Sequence, residues 1–462
     1  MQFAIRIYIY NYEYADSLFV EAIKLHYENK DMPQEDLATY CSNFAHSLTA
    51  QFYFEDANVL LKKSILILQK DSLNNHKQQI IKNFIYLIGN HLRVDSLEQA
   101  KFLLNKILEQ IDQKTDTFCD ANLYYGVYLQ KINQFLRASE VYTESLDCFK
   151  LSFGTTHQNV AETHLALALV KILLAEYQQA QDNLNRGIDI TVKNFGKNSV
   201  RYANHLKTQA YLNNLLANYQ KSKQEYSQVI DIYTKTLGER NRKLPEVLSE
   251  IADLEITLSN YEKAKKCSDK SMSIASDFID TESPAMSSLM NRAAYINYHI
   301  GLYEKAESFY RKTIQINKKL GFNTDMPNAE ALNGLGLVMT AKRDFEKADS
   351  LFSHSLILHK ELYTENHPLT AVVYLNFANL RLAQNELIVS EEMLNKSLTI
   401  NEKFFDNKHD IFGDIYVAFG DLAKKQKKSN IAIDYYQKAL NIYLEKFDEE
   451  HNKVVITKRR IR

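Results

Sequence analysis

The sequence is poor in glycine and proline and contains no tryptophan. Its 462 residues include 12 glycines, 5 prolines and 4 cysteines. Folds built from many short strands and tight turns need more glycine and proline than this. The composition therefore argues against a turn-rich all-β protein and favours a mostly helical one.

Cysteine is scarce, and neither sign of charge is in excess. Cys41, Cys119, Cys148 and Cys267 form no CxxC motif and no disulfide framework. We therefore expect no dependence on disulfide bridges and a reducing, cytoplasmic location. Lysine and arginine total 56, against 57 aspartates and glutamates. This balance lacks the basic excess that is typical of nucleic-acid-binding proteins.

Long hydrophobic runs are also missing. None approaches the roughly 18 residues that a membrane-spanning helix needs. The first ten residues are apolar, but Arg6 interrupts them and no basic start precedes a clean apolar stretch. We therefore predict neither a signal peptide nor a membrane partner. The length suggests about three domains, unless the chain is a repeat array.

A repeat of 42 residues runs along the chain. It is defined by two columns of small residues that lie 12 positions apart, with aliphatic residues at helical spacing around them. The later column of each unit is Ala180, Ser222, Ala264, Ala306, Ala348, Ser390 and Ala432, and the earlier one is Ala168, Ala210, Ala252, Ala294, Gly336, Ala378 and Gly420.

These columns predict two helices in each unit, helix A and then helix B. Small residues let two helices approach closely, and the aliphatic positions supply a buried stripe. All five prolines fall where a helix A begins, and four glycines follow a helix B: Gly154, Gly196, Gly238 and Gly321. Four earlier copies of the helix-B residue bring the predicted units to eleven: Ala15, Ala57, Ala100 and Ala138.

The pattern resembles the tetratricopeptide repeat (TPR). That family combines a small residue in helix A, an aromatic-x-x-Ala string in helix B and a proline near the unit boundary. The 42-residue length and the loop that ends in His367-Pro368 are similar to the kinesin-light-chain type. Bacterial arrays of this type are often fused to a caspase-like (CHAT) peptidase or a signalling domain. The resemblance implies an all-α superhelical solenoid of about eleven helix-turn-helix units.

Helix A is expected to line the concave groove of such a solenoid, where a partner would bind. Amide side chains can bond a peptide backbone, and tyrosine supplies rigid contact area. The asparagine that contacts peptides in kinesin-light-chain repeats is matched here only by Asn376. For any single groove residue, an ordinary solvated or inter-repeat role is the alternative. The predicted groove residues are Lys207, Tyr211, Asn291, Arg292, Tyr295, Asn333, Leu337, Asn376 and Asn379.

No motif for catalysis, metal binding or nucleotide binding is present in the sequence. We predict no cofactor, no metal and no enzyme activity, and the enzymatic alternative is a hidden nucleophile at Cys41 or Cys119. Four histidines share one position of the inter-repeat loop, where we expect capping or loop packing because they lie too far apart to converge on a metal: His157, His367, His409 and His451.

The predicted array covers residues 1–446 with an incomplete first unit, and residues 447–462 begin a further helix A or form a basic tail. Both ends would leave an apolar helix face without its partner, so we expect self-association there, or a chain that is the repeat portion of a longer architecture.

The predicted function is a non-enzymatic scaffold that binds a protein or peptide in the concave groove. The alternative is the sensor or regulatory part of a bacterial CHAT-type protease or signalling system whose effector is absent from this chain.

Overall fold

The computed structural model describes residues 12–29, 33–70, 76–111, 115–321 and 326–462, and this part of the chain contains 22 α-helices and no strands. The predicted all-α repeat fold is confirmed. The incomplete helix A predicted at the start falls on residues 1–11, outside the described residues. The helices are α1 (Tyr12–Glu28), α2 (Gln34–Ala50), α3 (Phe54–Leu68), α4 (Lys77–Arg93), α5 (Leu97–Leu108), α6 (Asp116–Lys131), α7 (Phe135–Phe153), α8 (Gln158–Leu173), α9 (Tyr177–Phe195), α10 (Val200–Leu215), α11 (Tyr219–Leu237), α12 (Leu244–Thr257), α13 (Tyr261–Phe278), α14 (Pro284–His299), α15 (Tyr303–Lys319), α16 (Met326–Ala341), α17 (Phe345–Tyr363), α18 (Pro368–Ala383), α19 (Leu387–Asn401), α20 (Asp410–Lys425), α21 (Ser429–Lys446) and α22 (Asn452–Ile461).

Even-numbered helices are the predicted helices A, and odd-numbered helices are the predicted helices B. The chain forms two compact units, unit 1 (Met1–Leu167) and unit 2 (Ala168–Arg462), and the division falls within α8. Unit 2 contains the predicted groove residues, so the site is built from its helices.

Close packing of helix A on helix B explains the small columns. A Cβ atom added to Gly420 would lie 2.4 Å from Cε1 of Tyr436, and one added to Gly336 would lie 2.8 Å from Cε1 of Phe352. A large aromatic ring of helix B thus occupies the space that a helix-A side chain would need. Ala210 and Ala252, in the same column, are fully buried.

A side-chain hydrogen bond also joins helix A to helix B in most of the described repeats. A serine or threonine hydroxyl of helix B donates to a helix-A backbone carbonyl that lies 26 residues earlier. Because the hydroxyl is buried, this bond satisfies it without interrupting either helix. The donors are Ser64, Ser145, Ser271, Thr313, Ser355 and Ser397.

The turn between helix A and helix B adopts a left-handed backbone conformation in successive repeats. From the unit of α6 onward, these residues lie 42 positions apart, and only one of them is glycine. A search of the sequence for glycine therefore does not find this turn. Its residues are Asn133, Ala175, Ala217, Ser259, Gly301, Arg343, Asn385 and Lys427.

We expect Gly301→Ala to destabilise the protein by about 1 kcal/mol, because an L-residue is strained at a φ of 82°. No atom lies within 4 Å of the added Cβ, so the cost comes from the backbone alone. The reciprocal change, Arg343→Gly at a φ of 62°, should stabilise. Urea unfolding of the two variants measures both effects, and equal shifts of the same sign would contradict this explanation.

The cysteines correct one sequence prediction. Cys119 of α6 and Cys148 of α7 form a disulfide bond across one helix pair, at a sequence separation of 29. The prediction of no disulfide framework rested on a search for spacing motifs, whereas the packing of helix A on helix B brings these two positions together. The same bond removes Cys119 as a free nucleophile, and burial raises the pKa of the Cys41 thiol.

We expect purified protein to be lighter by two hydrogen atoms than its reduced form, and a peptide map to join the segments that contain Cys119 and Cys148. Cys148→Ser is the control, since it should abolish the linked peptide. A chain whose four thiols all react with an alkylating reagent under denaturing, non-reducing conditions would contradict the disulfide.

The four loop histidines cap the helix that follows each of them. Their Nδ1 atoms accept a hydrogen bond from the backbone N–H two residues later, at 3.2–3.3 Å. The predicted capping role is therefore confirmed. Because Nδ1 accepts, Nε2 carries the proton of the neutral ring and is available as a donor.

Two of these histidines also connect distant repeats of unit 2. Nε2 of His409 lies 2.9 Å from the backbone oxygen of Leu215, and Nε2 of His451 lies 2.9 Å from that of Thr257. In both cases the partner is 194 residues earlier, at the end of a helix A. The C-terminal repeats of unit 2 therefore pack against turns that lie more than four repeats back.

Aromatic pairs lie beside these histidine bonds. Tyr219 stacks on Phe447 with a centroid distance of 5.6 Å, and Tyr177 stacks on Phe405 at 5.7 Å. The Tyr219 hydroxyl also donates to Oδ1 of Asp410 at 2.5 Å. We call the contacts of His409, His451, Tyr177 and Tyr219 the seam of unit 2.

Candidate functional site

The helices A of unit 2 present a polar surface that lines two cavities. One cavity, of about 550 Å³, is lined by residues of α14, α18, α20 and α22 together with residues of α11, α12, α13 and α21. The other, of about 660 Å³, is lined by α18, α20 and α22. Asn379 borders both of them. We call this surface the inner face, and its polar residues are Lys207, Tyr211, Glu246, Glu250, Asp253, Asn291, Arg292, Tyr295, Glu330, Asn333, Asn376, Asn379, Asp410, Asp414, Asp421, Lys453 and Arg460.

Polar contacts between neighbouring repeats cross the inner face at a constant sequence separation. The two partners lie 39 residues apart, so each contact joins consecutive helices A at nearly the same height. The pairs are Lys207–Glu246 at 2.6 Å, Arg292–Asp253 at 2.6 Å, Asn291–Glu330 at 2.9 Å, Lys453–Asp414 at 2.8 Å and Arg460–Asp421 at 3.1 Å.

Helix α12 carries the most concentrated charge of this face. Glu246, Glu250 and Asp253 follow one another at spacings of four and three residues, which places them on one side of the helix. Lys207 of α10 and Arg292 of α14 flank them and pair with Glu246 and Asp253. Glu250, between the two pairs, has only 6 % of its surface exposed.

Burial is the largest influence on the pKa values of Glu250 and Asp253. It raises the pKa of Glu250 to about 7, although Lys207 and Arg292 oppose the shift, and it raises that of Asp253 to about 6. The pKa of Glu246 is instead lowered, because Lys207 lies against it. The α12 cluster therefore holds carboxyl groups that lack enough cationic neighbours.

A second charged cluster lies near the seam and is fully paired. Nζ of Lys453 is 3.0 Å from Asp410 and 2.8 Å from Asp414, and the Tyr443 hydroxyl donates to Asp414 at 2.6 Å. Burial of Asp410 favours its neutral form, but Lys453, His409 and the hydroxyl of Tyr219 together outweigh burial and lower the pKa of that carboxyl to about 2. Here one ammonium group satisfies two carboxylates of the inner face.

The nine residues predicted for the groove all lie on helices A of unit 2. Asn376 donates to Asn333 at 3.2 Å, and Asn376, Asn379 and Tyr295 line the 550 Å³ cavity. Leu337 packs at the edge of a hydrophobic cluster. Their role in binding stays a prediction.

Tyr211 is half-buried, and burial raises the pKa of its phenol to about 12. The charged groups that act on it include Arg292, Glu250, Asp253 and Glu330. Tyr211 therefore lies beside the α12 cluster and connects the predicted amide residues to the charged ones.

The prediction missed most carboxylates of the inner face. It followed positions three before and one after the small residue of helix A, whereas Glu246, Glu330 and Asp414 lie six before it. In the sequence, these acidic residues form a column about one helical turn before the predicted groove positions. The column is visible in the sequence, but the repeat pattern alone does not show that it faces the groove.

Two searches of the described residues gave negative results. No described helix is both long enough and apolar enough to cross a membrane. Within the same ranges, no three or more histidine, cysteine, aspartate or glutamate side chains are grouped so that they could hold a metal ion.

Several solved structures are similar to this chain at low sequence identity, and one of them superposes well enough to show a shared fold. A Rap protein complexed with competence and sporulation factor superposes with a TM-score of 0.56 and 14 % identity, over 80 % of this chain and 99 % of that one. A tetratricopeptide repeat protein from Parabacteroides merdae gives a TM-score of 0.38 at 14 % identity, over 65 % of this chain and 97 % of that one. Putative kinesin-light-chain repeats from Podosopora anserina give a TM-score of 0.35 at 15 % identity, over 45 % of this chain and 98 % of that one.

No curated protein matches the sequence. Models of the tetratricopeptide repeat, however, match residues 118–191, 243–319, 328–403 and 413–445, which together make up more than half of the chain. These segments contain several of the helix pairs and small residues described above, such as Gly336 and Ala348. The chain belongs to the tetratricopeptide repeat family.

Proposed function

We propose that this protein is a non-enzymatic scaffold that binds a peptide or an extended protein segment along the inner face of unit 2. The observation that supports it most is a polar inner face, lined by amides and tyrosines, beside cavities of about 550 and 660 Å³. Side chains such as Asn379 and Tyr295 offer donors, acceptors and rigid contact area there.

The fold and the family agree with this proposal. Arrays of helix pairs present an extended curved surface, and function in such arrays lies in that surface. The Rap protein of similar fold was crystallised in complex with a factor, which is a precedent for a ligand on such an array. Self-association through the chain ends and a cytoplasmic location stay proposals, and the Cys119–Cys148 disulfide does not support a reducing compartment.

The proposal is tested by pull-down from an extract of the source cells with Tyr295→Ala plus Asn333→Ala. These changes remove an aromatic contact and an amide from the inner face, and we expect recovery of a specifically bound protein to fall about tenfold. Phe195→Ala plus Asn441→Ala is the matched control, because both side chains are exposed and line neither cavity.

Recovery that is unchanged in the inner-face variant, or that falls equally in the control, would contradict binding at the inner face. The identity of the retained protein separates the two predicted functions. A peptidase or kinase would favour the sensor or regulatory role, whereas a non-enzymatic partner would favour the scaffold role.

A further inference from the structure

Three acceptor oxygens near α12 have no hydrogen-bond donor among the described residues. They are Oε2 of Glu250, Oδ1 of Asp253 and Oδ1 of Asn291. Glu250 and Asn291 are each only 6 % exposed. A buried acceptor without a donor destabilises a protein, and nearly all such groups in native proteins are paired.

The neighbouring cations are already engaged, and the hydroxyl of Tyr226, which acts on Glu250, can donate only one further hydrogen bond. Lys207 pairs with Glu246 at 2.6 Å, and Arg292 pairs with the other oxygen of Asp253 at 2.6 Å. The amide nitrogen of Asn291 donates to Glu330 at 2.9 Å. Glu250 therefore lies between two cations, each of which pairs with another carboxylate.

This combination points to one class of ligand group. The group must supply several N–H donors and a positive charge, which are the properties of an ammonium with three donors or a guanidinium with five. Water can donate two hydrogen bonds, but it leaves the negative charge unbalanced. The half-buried ring of Tyr211, on which Glu250 and Asp253 both act, can add a cation–π contact.

The inner face already contains one interaction between an ammonium group and two carboxylates. Lys453 bridges Asp410 and Asp414 of the inner face at 3.0 and 2.8 Å. Those two carboxylates receive their cation from within the chain. In the α12 cluster the described ion pairs use Glu246 and Asp253, and none of them includes Glu250.

We propose that Glu250, Asp253 and Asn291 form a subsite for a cationic group of the bound peptide, either an arginine or lysine side chain or the terminal ammonium. This inference rests on the proposed function, because it assumes that a peptide lies on the inner face. It adds that the inner face selects peptides that carry a cationic group at this subsite.

The test uses the full chain and pools of fluorescent random hexapeptides with an acetylated N-terminus and an amidated C-terminus. Each pool has one position fixed as arginine, and a matched pool has citrulline, which keeps the shape but lacks the charge. A third set has a free N-terminus and no fixed residue. Binding is followed by fluorescence anisotropy at low ionic strength.

We expect at least one arginine pool to bind about tenfold more tightly than its citrulline partner, or the free-amine set to bind about tenfold more tightly than the acetylated one. The first outcome identifies a side chain as the source of the cation, and the second identifies the peptide terminus. In Glu250→Gln plus Asp253→Asn the difference should fall below about twofold.

Asp231→Asn is the matched control, since it removes one exposed carboxylate from α11 and should keep the difference. Pools that bind with no preference for charge would overturn the subsite but leave the proposed function standing. Pools that do not bind at any position would overturn the proposed function, and the subsite with it. The wild-type comparison decides the matter even if the double variant does not fold.

Discussion

Replacing Tyr219 with alanine is expected to lower the free energy of unfolding by about 4 kcal/mol, the largest effect we predict for a single residue. The side chain is 7 % exposed and stacks on Phe447 at 5.6 Å. Its hydroxyl also donates to Asp410 at 2.5 Å. The substitution therefore removes a buried ring and breaks a contact that joins repeats more than four units apart.

Tyr303→Ala is the matched control for the seam. Tyr303 occupies the same repeat position as Tyr219 but contacts Tyr298, close by in sequence. It is half-buried, so we expect a loss of only about 1–2 kcal/mol. Urea unfolding measures both variants, and equal losses would contradict a special role for the seam.

Tyr219→Phe separates the hydroxyl from the ring. We expect it to cost about 1 kcal/mol, because the ring still stacks and Lys453 still neutralises Asp410 at 3.0 Å. Hydrogen exchange adds a local readout. Amides of α20 and α22 should exchange faster in Tyr219→Ala than in Tyr219→Phe, since the C-terminal repeats lose their contact with the earlier turns.

Glu250→Gln is expected to stabilise the ligand-free protein by about 2 kcal/mol at pH 8 and to leave its stability nearly unchanged at pH 5. The physical reason is burial, which raises the pKa of Glu250 to about 7. The carboxylate is therefore less favourable in the folded protein than in the unfolded chain. Glutamine has the same shape, is neutral, and avoids this cost.

The sign follows from the protons bound in each state. Between the ordinary glutamate pKa of about 4.5 and the folded value of about 7, the native protein holds a proton that the unfolded chain has released. Stability from this group is thus full below pH 4.5 and is lost as the pH rises through 7. Glutamine does not titrate, so the gap between variant and wild type should widen across this window.

Titratable groups from four helices face Glu250. Lys207 and Tyr211 lie on α10, Tyr226 on α11, Glu246 on α12 and Arg292 on α14. The cations lower the pKa and Glu246 raises it, but burial is the largest cause.

Glu246→Gln is the control for this prediction. The pKa of Glu246 is lowered by Lys207, so its carboxylate favours folding above its ordinary pKa and the variant should not be more stable at pH 8. Thermal unfolding of both variants and the wild type between pH 5 and pH 8 makes the comparison. A Glu250→Gln curve parallel to that of the wild type would contradict the shifted pKa.

If Glu250→Gln stabilises the free protein and also weakens peptide binding, Glu250 contributes to binding at a cost in stability. Groups held in an unfavourable state in the free protein are common where a ligand supplies the missing partner. In the α12 cluster that partner is the cation of the proposed subsite.

The repeated helix pairs were predictable from sequence because their determinants are local and periodic. Gly336 and Gly420 fall in the small column since an aromatic ring of helix B fills the space beside each of them. The loop histidines were also interpreted correctly, because a cap depends on a residue two positions away.

The features that sequence reasoning missed depend on geometry between elements. The disulfide joins Cys119 and Cys148 through the packing of two helices, with no spacing motif to mark it. The left-handed turns are held by the repeat and accept residues as different as Ala217 and Arg343. The seam depends on how far unit 2 coils, which sets a separation of 194 residues between His409 and Leu215.

The binding surface itself is tested most directly by photo-crosslinking. A benzophenone side chain replaces Asn379, which is exposed and borders both cavities, or Asn441, which is exposed on α21 and borders neither. Illumination with the fluorescent hexapeptide pool should label the protein at position 379, and excess unlabelled pool should suppress the labelling. Equal labelling at position 441, or none at position 379 from a pool that binds, would contradict recognition at the inner face.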